Sequence, residues 1–381
     1  MLLAIRHLSL AIALAVVAAG TGRADTTAPA AAEFDAESLL ASLPPDVRQQ
    51  LDDARTRATK LFTSLRESAA PRDWAIASQF VYLDAPGGAV SSAERAALLR
   101  NAAAADPEDA LVQWMAATAM PGGEGGCSAP ALLPANYDAL MRLESDNGLA
   151  WLPALHQSWQ NKDALAVDST LARMAAASRF DDYRADYLRA LVDVAKRHPE
   201  SVWSPPGTAS GWSADELQFQ AAFIQAQMLQ PPIYTLFSVC DRAEQPDVDL
   251  RRFSICADVG RGMVKHARSA QLRQFGLTVI NDSGHYGPED RDAERELAWL
   301  QAAPESTGEA GMRAAFTALR MEYLRSGDEI AALRKAAIAA GQPAIPPPAW
   351  QPSTRIEDED EADAEDFGRM TEAAPPDPDA I

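Results

Sequence analysis

The sequence predicts an all-α protein of stacked antiparallel helical hairpins, a tetratricopeptide-like solenoid or an irregular helical array. Three observations predict it. Apolar residues recur at helical spacing over most of residues 37–341, no run alternates apolar with polar residues, and Ala, Leu and Arg are common where β-branched residues are sparse.

The chain begins with a segment that should not fold with the rest. Arg6 and His7 precede an apolar run from Leu8 to Ala19, and Gly22-Arg23-Ala24 offers small residues around a cut before Asp25. Residues 1–24 therefore read as a secretory signal peptide, cleaved near Ala24-Asp25. The run is shorter than the about 20 apolar residues a membrane helix needs, and no later stretch qualifies as a transmembrane segment. Its message is a compartment, periplasmic or secreted. Residues 25–36 are small and polar and read as a flexible lead.

From residue 37 to 200 the pattern is a helical array. Val167, Leu171, Met174 and Ser178 form one stripe, and Phe180, Tyr183, Tyr187, Leu191 and Val194 the next. Residues 201–212 hold Trp203, Trp212, two Pro and two Gly and read as a seam loop. A second helical region, 213–341, carries the stripes Leu217, Ala221, Ile224, Met228 and Met312, Phe316, Leu319, Tyr323. Ser91 with Glu94, Ser213 with Glu216 and Ser306 with Glu309 are spaced as capping boxes, and Ser326-Gly327-Asp328 as a turn that ends one helix and caps the next. From residue 342 the chain is Pro-rich and then acidic, with eight carboxylates between Glu357 and Asp366. Self-repulsion and scarce apolar surface predict a disordered tail over 342–381.

Two segments echo each other: Asp109 to Trp114 (DALVQW) and Asp146 to Trp151 (DNGLAW). A short acidic turn leading to a Trp anchor resembles the start of the first helix of a tetratricopeptide repeat. The resemblance spans roughly residues 91–178 and implies stacked hairpins with a concave binding surface. The half containing Cys240 and Cys256 is similar to uncharacterised exported proteins of gammaproteobacteria, which implies a compartment and no activity.

Charge narrows the partners. The formal net charge is −20, and removing Arg6 and Arg23 with the leader takes it to −22. Nucleic acid needs clustered Lys and Arg, so nucleic-acid binding is not expected. Three cysteines remain, Cys127, Cys240 and Cys256. Cys240 continues the apolar stripe of Ile233 and Phe237, and Cys256 that of Phe253, Gly260 and Met263, with a turn between. Two antiparallel helices then bring them face to face, and an oxidising space predicts a disulfide. Cys127 sits in the Gly-rich loop 121–130 as a leftover thiol.

Motifs for chemistry are missing. His156, His198, His266 and His285 fit no zinc spacing, and no cofactor or metal is expected. Asp282, Ser283 and His285 supply the residue types of a hydrolase, but contiguous turn residues rarely converge and no nucleophile-elbow motif exists. No catalytic residue is assigned. Trp114, Trp151 and Trp159 are candidates to line a binding groove, against the alternative that they are core. The expected function is binding of an envelope protein or peptide; the alternatives are a secreted enzyme with an unrecognised site and an envelope structural or stress protein.

Overall fold

The computed structural model describes residues 44–80, 91–118, 134–201, 212–227, 229 and 231–352. The signal peptide, the lead at 25–36, Cys127, Trp203 and the acidic tail beyond Pro352 lie outside the described residues. Within them the chain forms fifteen α-helices and no strand. These are α1 (Pro45–Arg66), α2 (Pro71–Ser78), α3 (Ser92–Ala105), α4 (Ala110–Thr118), α5 (Pro134–Leu143), α6 (Leu152–Gln160), α7 (Ala164–Ala175) and α8 (Arg184–Arg197). After them come α9 (Ala214–Gln227), α10 (Tyr234–Cys240), α11 (Leu250–His266), α12 (Ala270–Asp282), α13 (Pro288–Ala302), α14 (Gly308–Ser326) and α15 (Glu329–Ala339). Neighbours in sequence pack on one another, α11 against α12 and α14 against α15 most extensively.

Side-chain caps set many of the helix starts, because the first amides of a helix have no partner within it. Ser91 Oγ accepts from the Glu94 amide, at 3.2 Å. Ser213 and Glu216 complete a reciprocal box at 3.3 and 2.8 Å. Gly327, at φ 70°, ends α14, and Asp328 then caps α15 by accepting from the Ala331 amide at 2.9 Å. The Ser306 box does not form. Ser306 Oγ donates instead to the Ala303 carbonyl, inside a 3₁₀ turn over Ala303–Thr307 that delays α14 to Gly308.

The stripe at α8 is buried as spaced, and that of α7 is buried at Val167, Leu171 and Met174, whereas Ser178 lies past the end of the helix and is exposed. That of α9 is displaced. Phe219, Ala222 and Ala226 are its buried residues, and Ile224 is exposed. The displacement follows the aromatics: Phe219 and Phe223 stack on each other, Phe219 packs edge-on against Phe316, and Phe223 against Tyr323. Larger rings bury more apolar area than Ile224 and set the rotation of the helix.

The expected seam does not divide the core. One hydrophobic cluster runs from Phe62 and Trp114 through Leu171 and Tyr187 to Phe219, Cys240, Met263 and Tyr323. Trp212 itself lies edge-on against Phe316, at 4.8 Å. The expected start of a disordered tail at residue 342 is also corrected. Within residues 342–352, Pro343, Pro347 and Trp350 are held by α13, with Trp350 against Trp299.

The turns at one end of the array are joined by backbone bonds. The Arg179 amide donates to the Asp146 carbonyl and the Gly148 amide to the Arg179 carbonyl, at 3.2 and 2.9 Å. Phe180 pairs with Ala267, and the Glu329 amide donates to the Arg268 carbonyl at 2.9 Å. Asn147, fully buried, stitches the first pair: its side chain donates to the Asp181 carbonyl at 2.9 Å and accepts from the Asp181 amide at 3.0 Å. The Phe180 ring fills the space between, so close that a Cβ on Gly148 would lie 2.2 Å from it.

Cys240, at the end of α10, is bonded to Cys256 in the middle of α11, with Cα atoms 5.7 Å apart. Both are fully buried.

Candidate binding groove

The three tryptophans have different fates. Trp114 is fully buried in α4, its ring 5.4 Å from that of Tyr183. It is a core residue. Trp151 donates from its indole to the Ser145 carbonyl at 3.3 Å, and the Arg173 guanidinium lies 4.9 Å over its ring. Trp159, half-buried near the end of α6, lines an open groove of about 430 Å³ together with Gln160, Lys162, Ala164, Val167 and Arg252. The structure therefore places one of the three at an open groove.

The α6–α7 turn builds this groove. The Asn161, Lys162 and Asp163 amides donate to the carbonyls of Gln157, Trp159 and Ser158, each at 3.0 Å. That tight path puts Lys162 at φ 54°, in the left-handed region that a residue with a Cβ seldom occupies. Asp163 then starts α7 by accepting from the Ala166 amide at 3.0 Å. The far wall comes from α11. Arg252 donates from Nε to Asp168 at 2.5 Å and reaches the Ala164 carbonyl at 3.5 Å. Its side chain is 6 % exposed, so this Arg is a fixed wall and its charge is matched by Asp168.

Two features of the groove suit a ligand. Lys162 is exposed and pairs with no carboxylate among the described residues, which leaves its ammonium free for an anionic group. Leu165, beside the groove, is 83 % exposed, and Leu250, two residues before Arg252, is 62 % exposed. Sequence reasoning missed Lys162, Leu165 and Arg252. The Asn161-Lys162-Asp163 turn was the available signal, since Asn and Asp favour such turns; the arrival of Arg252 from a distant helix had none.

The remaining candidates for chemistry are not brought together among the described residues. In the turn at 282–285, Ser283 is buried and its hydroxyl donates to the Ile280 carbonyl at 2.8 Å. His285 Nδ1 contacts the Ser283 carbonyl at 2.9 Å, not the hydroxyl. A hydroxyl–imidazole pair does exist elsewhere: His156 Nδ1 lies 2.8 Å from Thr235 Oγ1. Burial holds the His156 imidazole below its ordinary pKa, as a base would need. Yet Thr235 is buried against α6, and no carboxylate among the described residues orients the ring, so among them the pair lacks the third member of a nucleophilic triad. Among the described residues no group of three or more His, Cys, Asp or Glu is placed to hold a metal ion. No helix among them is long and apolar enough to cross a membrane.

The densest polar cluster is structural. Arg184 at the start of α8 is almost fully buried, 3.6 Å from Asp182, and donates to Gln227 at 2.9 Å and to Gln271. Ser269 donates to Asp182 at 3.0 Å, and Glu329 accepts from the Ala270 amide at 2.9 Å. Burial pushes the Glu329 carboxyl above the ordinary range, against the pull of the Ala270 amide and Arg184. Arg184 and Asp182 stand at the start of α8, Ser269 and Ala270 at that of α12 and Glu329 at that of α15, so the cluster ties these three helix starts together.

No known protein family, curated protein or solved structure matches this chain.

Proposed function

We propose that this chain is an exported helical-array protein of tetratricopeptide-like build, and that it binds an extended peptide segment of another envelope protein at the α6–α7 turn. An apolar side chain of the ligand packs against Trp159 and Val167, and a carboxylate meets Lys162. The observation that carries the reading is the groove itself: its volume is that of a small-ligand site, with an aromatic wall and an unpaired ammonium on a chain of net charge −20. The buried Cys240–Cys256 bond supports an oxidising compartment, where such bonds persist.

The test is a peptide library with and without acidic residues, bound to the exported chain and to its W159A and K162E variants. A ligand recovered by the wild-type chain should lose at least about tenfold in affinity to each variant, a difference of about 1.4 kcal/mol. Equal binding by all three would overturn the assignment of the site.

A further inference from the structure

The chain's own Pro-rich segment packs on α13. Trp299 donates from its indole to the Pro343 carbonyl at 2.8 Å. Arg295 donates to the Trp350 carbonyl at 2.9 Å and also to the Pro347 carbonyl. Trp350 closes the contact edge-on against Trp299, ring centres 5.2 Å apart. Every polar contact α13 makes here is to a main-chain carbonyl. Such contacts suit proline, which offers an acceptor and no donor, so none of its backbone polar groups is left unpaired by lying against a donor surface. Arg295 pairs with no carboxylate among the described residues; its guanidinium is committed to carbonyls alone.

The segment is held at a few points. Pro346 is buried and Trp350 half-buried, while Pro343, Pro348 and Ala349 are exposed and Ile345 is 70 % exposed. It leaves α15 through Gly341, whose φ of 81° lies in the region that favours glycine. Beneath it Trp299, Leu300, Ala303, Ile330 and Ala337 form a hydrophobic cluster distinct from the main core. The α13 face thus has donors spaced for a run of carbonyls, an indole wall and an apolar floor. These are the elements with which extended Pro-rich segments are recognised.

We propose that Arg295 and Trp299 form a binding site for a proline-rich segment of a partner protein, covered in the resting chain by residues 343–350. A partner segment takes the same carbonyl contacts once the chain's own segment leaves. This site is separate from the α6–α7 groove and stands or falls independently of it.

The experiment uses the full chain and a fluorescein-labelled peptide of sequence QPAIPPPAWQP, read by anisotropy. The wild-type chain, its site filled from within, should bind weakly. The W350A chain, which has lost the indole contact that closes the segment, should bind at least tenfold more tightly. Adding R295M or W299F to W350A should abolish that gain, and the melting temperature of each variant shows whether it remains folded. If one double variant fails to fold, the other decides. Equal binding by wild-type and W350A chains, or a gain that survives both R295M and W299F, would overturn the proposal. Concentration-dependent dimerisation of the wild-type chain that R295M abolishes would assign the site to a second copy and overturn the partner reading.

Discussion

Replacing Gly148 with Ala probes the joint on which the turn ladder depends. Gly148 belongs to the DNGLAW segment and starts the 3₁₀ turn Gly148–Trp151 that leads into α6. A Cβ there would sit 2.2, 2.6 and 2.8 Å from three atoms of the Phe180 ring. Phe180 is fully buried, and on its other side a Cβ on Gly262 would meet it at 2.9 Å. The ring therefore cannot retreat without moving α11. Ala is favoured over Gly in a helix interior by about 1 kcal/mol, an upper bound at the first position of a 3₁₀ turn. Overpacking a full core costs typically about 1–3 kcal/mol, and this clash involves three atoms of a ring held on two sides. The net expectation is destabilisation by roughly 1–3 kcal/mol. At about 2 °C per kcal/mol, the lower end of the range for large domains, the melting temperature falls by roughly 2–6 °C. Thermal and denaturant unfolding followed by circular dichroism measure it. A double-mutant cycle with Phe180→Leu sharpens the test, because the smaller side chain should recover part of the loss in the G148A background while costing stability in the wild type. A G148A chain as stable as the wild type would refute the close approach, and additive effects in the cycle would refute its assignment to Phe180.

Two further outcomes follow from the geometry. The Cys240–Cys256 bond closes a loop of sequence separation 16, so its reduction should cost about 3 kcal/mol in the chain-entropy model; comparing denaturant unfolding of oxidised and reduced protein checks this, and a difference below about 1 kcal/mol would contradict it. For Asp73, burial alone would raise the carboxyl, but hydrogen bonds from Arg197 and Ser68 and the Arg197 charge outweigh it and hold the pKa below the ordinary 3.8. A carboxyl lowered on folding contributes stability that is present above its unfolded pKa and lost as pH falls through the folded one. Asp73→Asn should therefore destabilise at neutral pH and flatten the acid limb below about pH 4; a variant with the wild-type slope there would remove Asp73 from the account.

Much of the fold was legible because its signals are local. Helical spacing in α7 and α8, the Ser91 and Ser213 caps and the Gly327-Asp328 turn depend on residues within one or two turns of each other, and the structure repeats them. The failures each involve a choice made by a distant partner. Periodicity alone allows two faces for α9, and Phe316 and Tyr323 on α14 select the one bearing Phe219 and Phe223. A Pro-rich stretch has no helical signal, so nothing within residues 342–352 announced that Trp299 and Arg295 would hold their carbonyls. The cysteine pair succeeded across helices because its two stripes were read together with the turn that joins them.

The DNGLAW segment shows how a motif can mark a fold without marking its function. Its resemblance to a repeat start drew attention to Trp151, yet the residue that organises the region is Asn147, which is fully buried and bonds to both the amide and the carbonyl of Asp181. The earlier segment does not repeat this device: there Asp109 caps α4 by accepting from the Leu111 and Val112 amides at 3.0 and 3.2 Å, and Trp114 sinks into the core. Two similar strings thus perform different tasks, one starting a helix and the other joining two turns. The ladder continues from Phe180 to Ala267 and from Arg268 to Glu329, with Asp182, Arg184 and Ser269 bonded behind it. Buried bonded pairs such as Ser269 and Asp182 resist rearrangement, since separating them would strand a polar group in a medium that cannot solvate it. The two proposed binding surfaces differ from the ladder: Lys162 pairs with no carboxylate among the described residues, Leu165 lies in water, and Arg295 is bonded to carbonyls of the chain's own Pro-rich segment. In this array the bonded polar groups of the ladder hold the turns, and the two surfaces proposed above rest on donors that another chain could engage.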